Sequence, residues 1–129
     1  MKEAYPIVMT REDDWILVYV PDFDINTEGS DFADAIFMAR DAISLTGITY
    51  EDMGKELPIP STLEAVINAH PEAMVSLVDV DFAEYRKMND RRAVRRNVSL
   101  PYWLNYKAEQ AGLNVSAVLQ KALKAELHI

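Results

Sequence analysis

The sequence predicts an α+β protein in which an antiparallel βββαβ unit is followed by a strand–helix–helix unit. Three observations carry that reading. The stretches 5–20 and 73–82 are built from short runs rich in β-branched and aromatic residues. The stretches 32–43 and 115–127 repeat apolar residues at the 3.6-residue period of a helix. The charge also breaks two-thirds of the way along. Met1 to Tyr85 holds 4 basic and 18 acidic residues, −14, whereas Arg86 to Ile129 holds 9 basic and 3 acidic, +6. The net charge of −8 over 129 residues therefore conceals two units of opposite sign, each suited to a partner of the other sign.

The bulk composition excludes several classes. With 50 % hydrophobic and 26 % charged residues the chain is neither disordered nor collagenous. Its longest apolar run is Trp15 to Val20, against the roughly 20 residues needed to span a bilayer, and the N-terminus lacks the basic-then-apolar order of a signal peptide. A cytoplasmic location is expected. The absence of cysteine removes disulfides, thiolate metal sites and thiol nucleophiles, and His70 and His128 alone cannot build a zinc site. Neither a metal nor a cofactor is expected.

Taken in order, Tyr5–Thr10 and Trp15–Val20 flank the polar Arg11-Glu-Asp-Asp14 and predict a hairpin. Pro21-Asp22 ends its second strand, and Ile25–Glu28 is long enough for a short third. Asp31 then caps a helix whose apolar stripe is Phe32, Ala35, Ile36, Ala39 and Ile43, with Asp34 favouring the positive helix end. Gly47 is expected to stop that helix. Leu57-Pro-Ile-Pro60 is an extended connector, Ser61-Thr-Leu-Glu64 opens a short helical segment, and Ala73–Phe82 reads as a strand with Val78, Val80 and Phe82 on one face and Asp79 and Asp81 on the other. Residues 1–82 form the first expected domain, 83–91 a linker, and 92–129 the second domain.

In the second domain Val94, Val98 and Leu100 alternate with Arg95, Asn97 and Ser99 in a short strand. Pro101 opens a helix that Gly112 ends, and Asn114 caps another with the stripe Val115, Val118, Leu119, Ala122, Leu123 and Leu127. Fewer than about 40 residues cannot bury a sufficient core alone. Without cysteines, a second copy of the chain is the expected staple, which makes Val98, Leu100, Val118, Leu119, Ala122 and Leu123 the dimerisation residues.

This C-terminal pattern resembles the ribbon-helix-helix repressors, in which two chains pair single strands into a ribbon that enters the DNA major groove. The resemblance implies that Arg95, Asn97 and Ser99 read bases, and Arg and Asn are the side chains that pair bidentately with guanine and adenine. Asn114, Val115 and Ser116 would offer backbone amides to a phosphate. Arg91, Arg92 and Arg96 would supply sequence-independent affinity, although Arg96 stands on the inward phase of the strand, where an apolar residue is usual.

The N-terminal part resembles a second family. Val18-Tyr-Val-Pro-Asp-Phe23, Thr27-Glu-Gly29 and Asp31-Phe-Ala-Asp-Ala-Ile36 look like the HicB antitoxin pattern, with Asp24-Ile-Asn26 where many members carry Pro-Gly-Cys after Pro-Asp. Glu56-Leu-Pro-Ile-Pro-Ser61 and Met74–Asp81 follow in the order of members that end in a ribbon-helix-helix. The resemblance implies a partial RNase H-like first domain that covers HicA, a small mRNA-cleaving toxin of double-stranded-RNA-binding-like fold. It also implies a C-terminal domain that represses the shared operon on operator DNA as a homodimer, or as a tetramer of two dimers. The charge division agrees independently, because a −14 surface is complementary to an RNA-binding protein.

Asp22, Asp24, Glu28, Asp79 and Asp81 are the expected toxin-facing carboxylates. Together with Asp31, Asp34 and Asp41 they also raise the alternative of an RNase H-like two-metal nuclease. Their positions at strand ends, in a turn and on the polar side of a helix favour an acidic surface over a catalytic centre. No catalytic residue is expected. A stand-alone repressor with a ligand-sensing N-terminal domain is the other alternative.

Overall fold

The computed structural model describes residues 2–129, and the chain divides into two compact units, one reaching to Arg91 and one running from Arg92 to Ile129. The first contains β1 (Lys2–Glu12), β2 (Trp15–Val20), β3 (Ile25–Gly29), α1 (Phe32–Asp52), α2 (Leu63–Ala69), β4 (Met74–Asp81) and α3 (Phe82–Met88). The second contains α4 (Tyr102–Gln110) and α5 (Val115–Leu127).

The four strands form one antiparallel sheet in the order β3-β2-β1-β4. The β1/β2 hairpin is tighter than the four polar residues imply, because Glu12 already pairs with Trp15 and only Asp13 and Asp14 turn. Asp13 takes the left-handed conformation, φ 53°, which aspartate tolerates better than most residues. Pro6 sits within β1 although a proline cannot donate to a ladder. It is accommodated because the β1/β2 register begins only at Val8, so at Pro6 the strand is paired with β4 alone.

One face of the sheet makes the core. Tyr5, Ile7 and Met9 of β1, Ile16, Val18 and Val20 of β2, and Val78 and Val80 of β4 are buried there against Ala35, Ala39 and Ile43 of α1. Asp31 caps α1 as expected, accepting from the Asp34 amide at 2.8 Å, while the Asp34 carboxylate accepts from the Ser30 amide at 2.8 Å. One orphan donor of the first helical turn and the amide just before the cap are thereby satisfied by two carboxylates.

Gly47 does not stop α1. The helix continues through it to Asp52, with Gly47 buried under Phe82. Solvent-exposed glycine disfavours a helix, but here the missing side chain is what lets another element approach. The expected linker at 83–91 is also corrected, because Phe82–Met88 is helical. Asp81 caps α3 through the Glu84 amide at 3.1 Å, and Phe82 plugs into the core. Side-chain hydrogen bonds also tie α3 to α1: the Tyr85 hydroxyl donates to Asp41 at 3.1 Å, and Arg86 donates to Asp52 at 3.0 Å and to the Ile48 carbonyl at 3.3 Å. The N-terminal topology is therefore βββααβα.

In the second unit α4 and α5 stand as expected. Gly112 at φ 66° follows α4, and the Asn114 side chain accepts from the Ala117 amide at 3.1 Å to cap α5. The expected strand at Val94–Leu100 is not formed as such, since residues 90–101 are irregular and exposed. A strand exists only against a partner, and none of the four sheet strands pairs with this segment. Every residue from 92 to 129 is at least partly exposed.

Candidate functional site

Two surfaces come from the two units. The N-terminal unit, counted to Arg91, holds 7 basic and 19 acidic residues, −12, and the remainder holds 6 basic and 2 acidic, +4. The charge break and the structural division therefore fall at almost the same place.

Among the expected toxin-facing carboxylates, four are held by groups of their own unit. Asp22 accepts from the Ser61 amide at 2.9 Å and from its hydroxyl, pinning the 57–60 connector across the sheet end. Asp24, in the left-handed conformation at φ 51°, accepts from the Tyr19 hydroxyl at 2.9 Å, and that hydrogen bond raises the tyrosine's pKa. Asp79, on the edge strand β4, is clasped by Arg40. The guanidinium donates to its carboxylate at 2.8 Å and to its carbonyl at 2.9 Å, and this hydrogen bond holds the Asp79 carboxyl below the usual range. Asp81 is the α3 cap, with its pKa lowered chiefly by the Glu84 amide. Glu28 stands exposed on β3. The candidates are thus spread over both edges of the sheet and do not converge. Among the described residues no three His, Cys, Asp or Glu side chains are placed to hold a metal ion, and Asp31, Asp34 and Asp41 are engaged in the cap and the α3 clasp described above.

The open half of the sheet's outer face carries features that the sequence reading left aside. α2 packs over β4 and β1, with Val66 buried beneath it and the His70 ring at its end meeting Tyr19 edge-on at 6.2 Å. Beyond it, Trp15 and Leu17 of β2 remain 49 % and 39 % exposed. Register places Glu28 of β3 opposite Leu17 and Glu12 of β1 opposite Trp15. The signal was present in the sequence: Trp15-Ile-Leu-Val-Tyr-Val20 is apolar in both phases, whereas an antiparallel strand with one wet face alternates.

A concavity of about 520 Å³ lies along the free edge of β4 between α1 and α3, lined by Phe37, Arg40, Asp41, Asp79, Tyr85 and Met88 among others. Burial, then the bond to Asp41, raises the Tyr85 pKa there.

Arg91, the last residue of the N-terminal unit, and Arg92, Arg95, Arg96, Asn97 and Ser99 of the C-terminal unit all lie in the irregular exposed segment, and Val98 and Leu100 within it are 57 % and 42 % exposed. Val115 and Ser116 open α5 behind the Asn114 cap. Val118, Ala122 and Leu123 are exposed and Leu119 is half-buried. An apolar stripe left uncovered in this way is costly, at about 25 cal/mol per Å² of apolar surface in water.

Among the described residues, no helix is long and apolar enough to cross a membrane.

Comparison with known proteins converges on one family. The chain is similar to a toxin–antitoxin complex chain from Streptococcus pneumoniae, at TM-score 0.61 and 23 % identity over 98 % of this chain and 99 % of that one. It is similar to the Burkholderia pseudomallei antitoxin HicB, at TM-score 0.55 and 26 % identity over 97 % and 96 %. A chain of the HicA3 and HicB3 toxin–antitoxin complex matches at TM-score 0.53 and 25 % identity, covering 61 % of this chain and 99 % of that one. No curated protein sequence matches. The sequence model of the HicB-like antitoxins of bacterial toxin–antitoxin systems matches residues 5–122, and the chain belongs to that family.

Proposed function

We propose that this antitoxin neutralises a HicA-like, small, basic mRNA-cleaving toxin through its N-terminal unit and represses its own operon through its C-terminal unit. The observation that carries the proposal is the coincidence of charge and structure, −12 on one compact unit and +4 on the other. On this reading the first unit, a partial RNase H-like domain, occupies the toxin's RNA-holding surface. Electrostatic attraction between the two speeds their encounter. The second unit works as half of a ribbon-helix-helix. The 94–100 segments of two chains pair into a ribbon, and their α5 stripes close the shared core that one chain leaves open. Arg95, Asn97 and Ser99 then project into the major groove, while Arg91, Arg92, Arg96 and the start of α5 meet phosphates. The chain is a binding protein on this account.

The test has two arms. Co-expression of residues 1–91 with the HicA-like protein encoded beside this gene is expected to restore growth, and the full chain is expected to retard promoter DNA that residues 1–91 leave untouched. A soluble, folded 1–91 fragment that fails to rescue would remove the division of labour. Repression by the full chain without any rescue would favour the stand-alone repressor, with the cavity beside β4 as its ligand site.

A further inference from the structure

We propose that the toxin docks on the open half of the sheet's outer face, centred on Trp15 and Leu17 of β2, rather than on the dispersed carboxylates at the sheet edges. This rests on the antitoxin reading above and adds the surface and its chemistry. The face is unpartnered where α2 ends, and it presents two large apolar side chains, 49 % and 39 % exposed, at alternate positions of one strand. A tryptophan near the centre of a patch, with a ring of other contacts that excludes water, is a usual composition of a binding hot spot. The ring here has one sign. Glu28 and Glu12 flank the pair on either side across the ladder, and Asp13 and Asp14 form the adjacent turn. The basic residue nearest in β1, Arg11, belongs to the other face, where its guanidinium lies 5.3 Å from the Phe32 ring centre.

Charge complementarity therefore names the occupant. A protein that offers an apolar side chain surrounded by Lys and Arg satisfies both parts of this surface. A nucleic acid is repelled by it, and a second copy of the same acidic unit would bring like charges together. The edge carboxylates are poorer anchors, because Asp22, Asp24, Asp79 and Asp81 already accept hydrogen bonds from their own unit. Releasing any of them would cost the fold a cap, a turn or a clasp.

The experiment measures the affinity of the full chain for a catalytically inactive form of the HicA-like protein encoded beside this gene. The variants are Leu17→Lys, Glu28→Lys and Phe37→Lys, the last beside the β4 cavity, and thermal melting verifies that each is folded. Leu17→Lys and Glu28→Lys are expected to weaken binding by roughly tenfold or more each, while Phe37→Lys stays within about twofold. Glu28→Lys guards against misfolding of Leu17→Lys, since it changes only an exposed position. Binding by the parent chain with both β2–β3 variants unchanged overturns this surface and leaves the antitoxin reading standing. So does a loss confined to Phe37→Lys, or a change in the chain's own oligomeric state with toxin affinity intact. Failure of the parent chain itself to bind removes the antitoxin reading, and the proposed surface with it.

Discussion

Gly47 in the middle of α1 lies directly under Phe82 at the start of α3, so close that a Cβ placed on the glycine would stand 2.1 Å from the ring's Cε1. This one contact explains two features at once: a helix that runs through a glycine, and a buried ring at the start of a helix that occupies much of the expected linker. The ring occupies the volume a side chain would fill, and it anchors α3 to the first unit.

Gly47→Ala is expected to destabilise the N-terminal unit. Alanine favours a helix by about 1 kcal/mol over glycine, but forcing a methyl into the ring costs about 1–3 kcal/mol, so the clash prevails. Urea denaturation of the single variant and of Gly47→Ala/Phe82→Leu gives the check. The smaller side chain is expected to recover part of the loss, and strict additivity of the two would show that the contact is not the cause.

Tyr5, wholly buried on β1, donates from its hydroxyl to the Pro58 carbonyl at 2.8 Å and meets the Phe23 ring edge-on at 4.9 Å. Burial first, then the negative charges of Glu3 and Asp22, push its pKa up to about 12. The folded state therefore holds the proton more tightly than the unfolded chain does. The resulting stability is intact below pH 10 and is lost as pH rises from 10 towards 12. Tyr5→Phe is expected to cost about 1 kcal/mol at neutral pH and to flatten the alkaline loss. Equal slopes for both proteins across that window would assign the loss to other groups.

The C-terminal unit is expected to be an obligate dimer. Leu119→Asp places an unpaired carboxylate in the shared core and is expected to cost several kcal/mol of dimer stability. Val98→Asp is expected to act on the ribbon in the same way. Sedimentation of both variants as stable dimers would move the interface elsewhere.

Base reading and phosphate contact separate by salt. Arg95→Ala and Asn97→Ala are each expected to lower operator affinity by about 1–3 kcal/mol and to spare scrambled DNA. Arg92→Ala is expected to weaken both DNAs alike and to reduce the slope of log K against log salt by about one unit. If Arg95→Ala behaves like Arg92→Ala, the strand register is inverted and Arg96 faces the groove.

The elements whose signals are local could be read directly. Asp31 and Asn114 each cap the helix that follows them, and the apolar stripe of α1 and the alternation of Val78 and Val80 identify the faces that are buried. A cap or a periodic stripe is a property of a few neighbouring residues, so no distant contact is needed to decide it. The charge division, and through it the expectation of two opposed partners, is likewise a property of the chain alone. Tertiary structure decided what depends on residues far apart. Gly47 reads as a helix stop until Phe82, 35 positions later, fills the space above it. Asp22, Asp24, Asp79 and Asp81 read as a free acidic surface until Ser61, Tyr19, Arg40 and the Glu84 amide take up their oxygens. Trp15 and Leu17 read as ordinary strand residues until the extent of α2 shows which part of the outer face stays uncovered. The 94–100 segment stands apart, because its apolar and polar phases are written in the sequence while the single chain leaves it irregular, and a strand forms only against a partner strand.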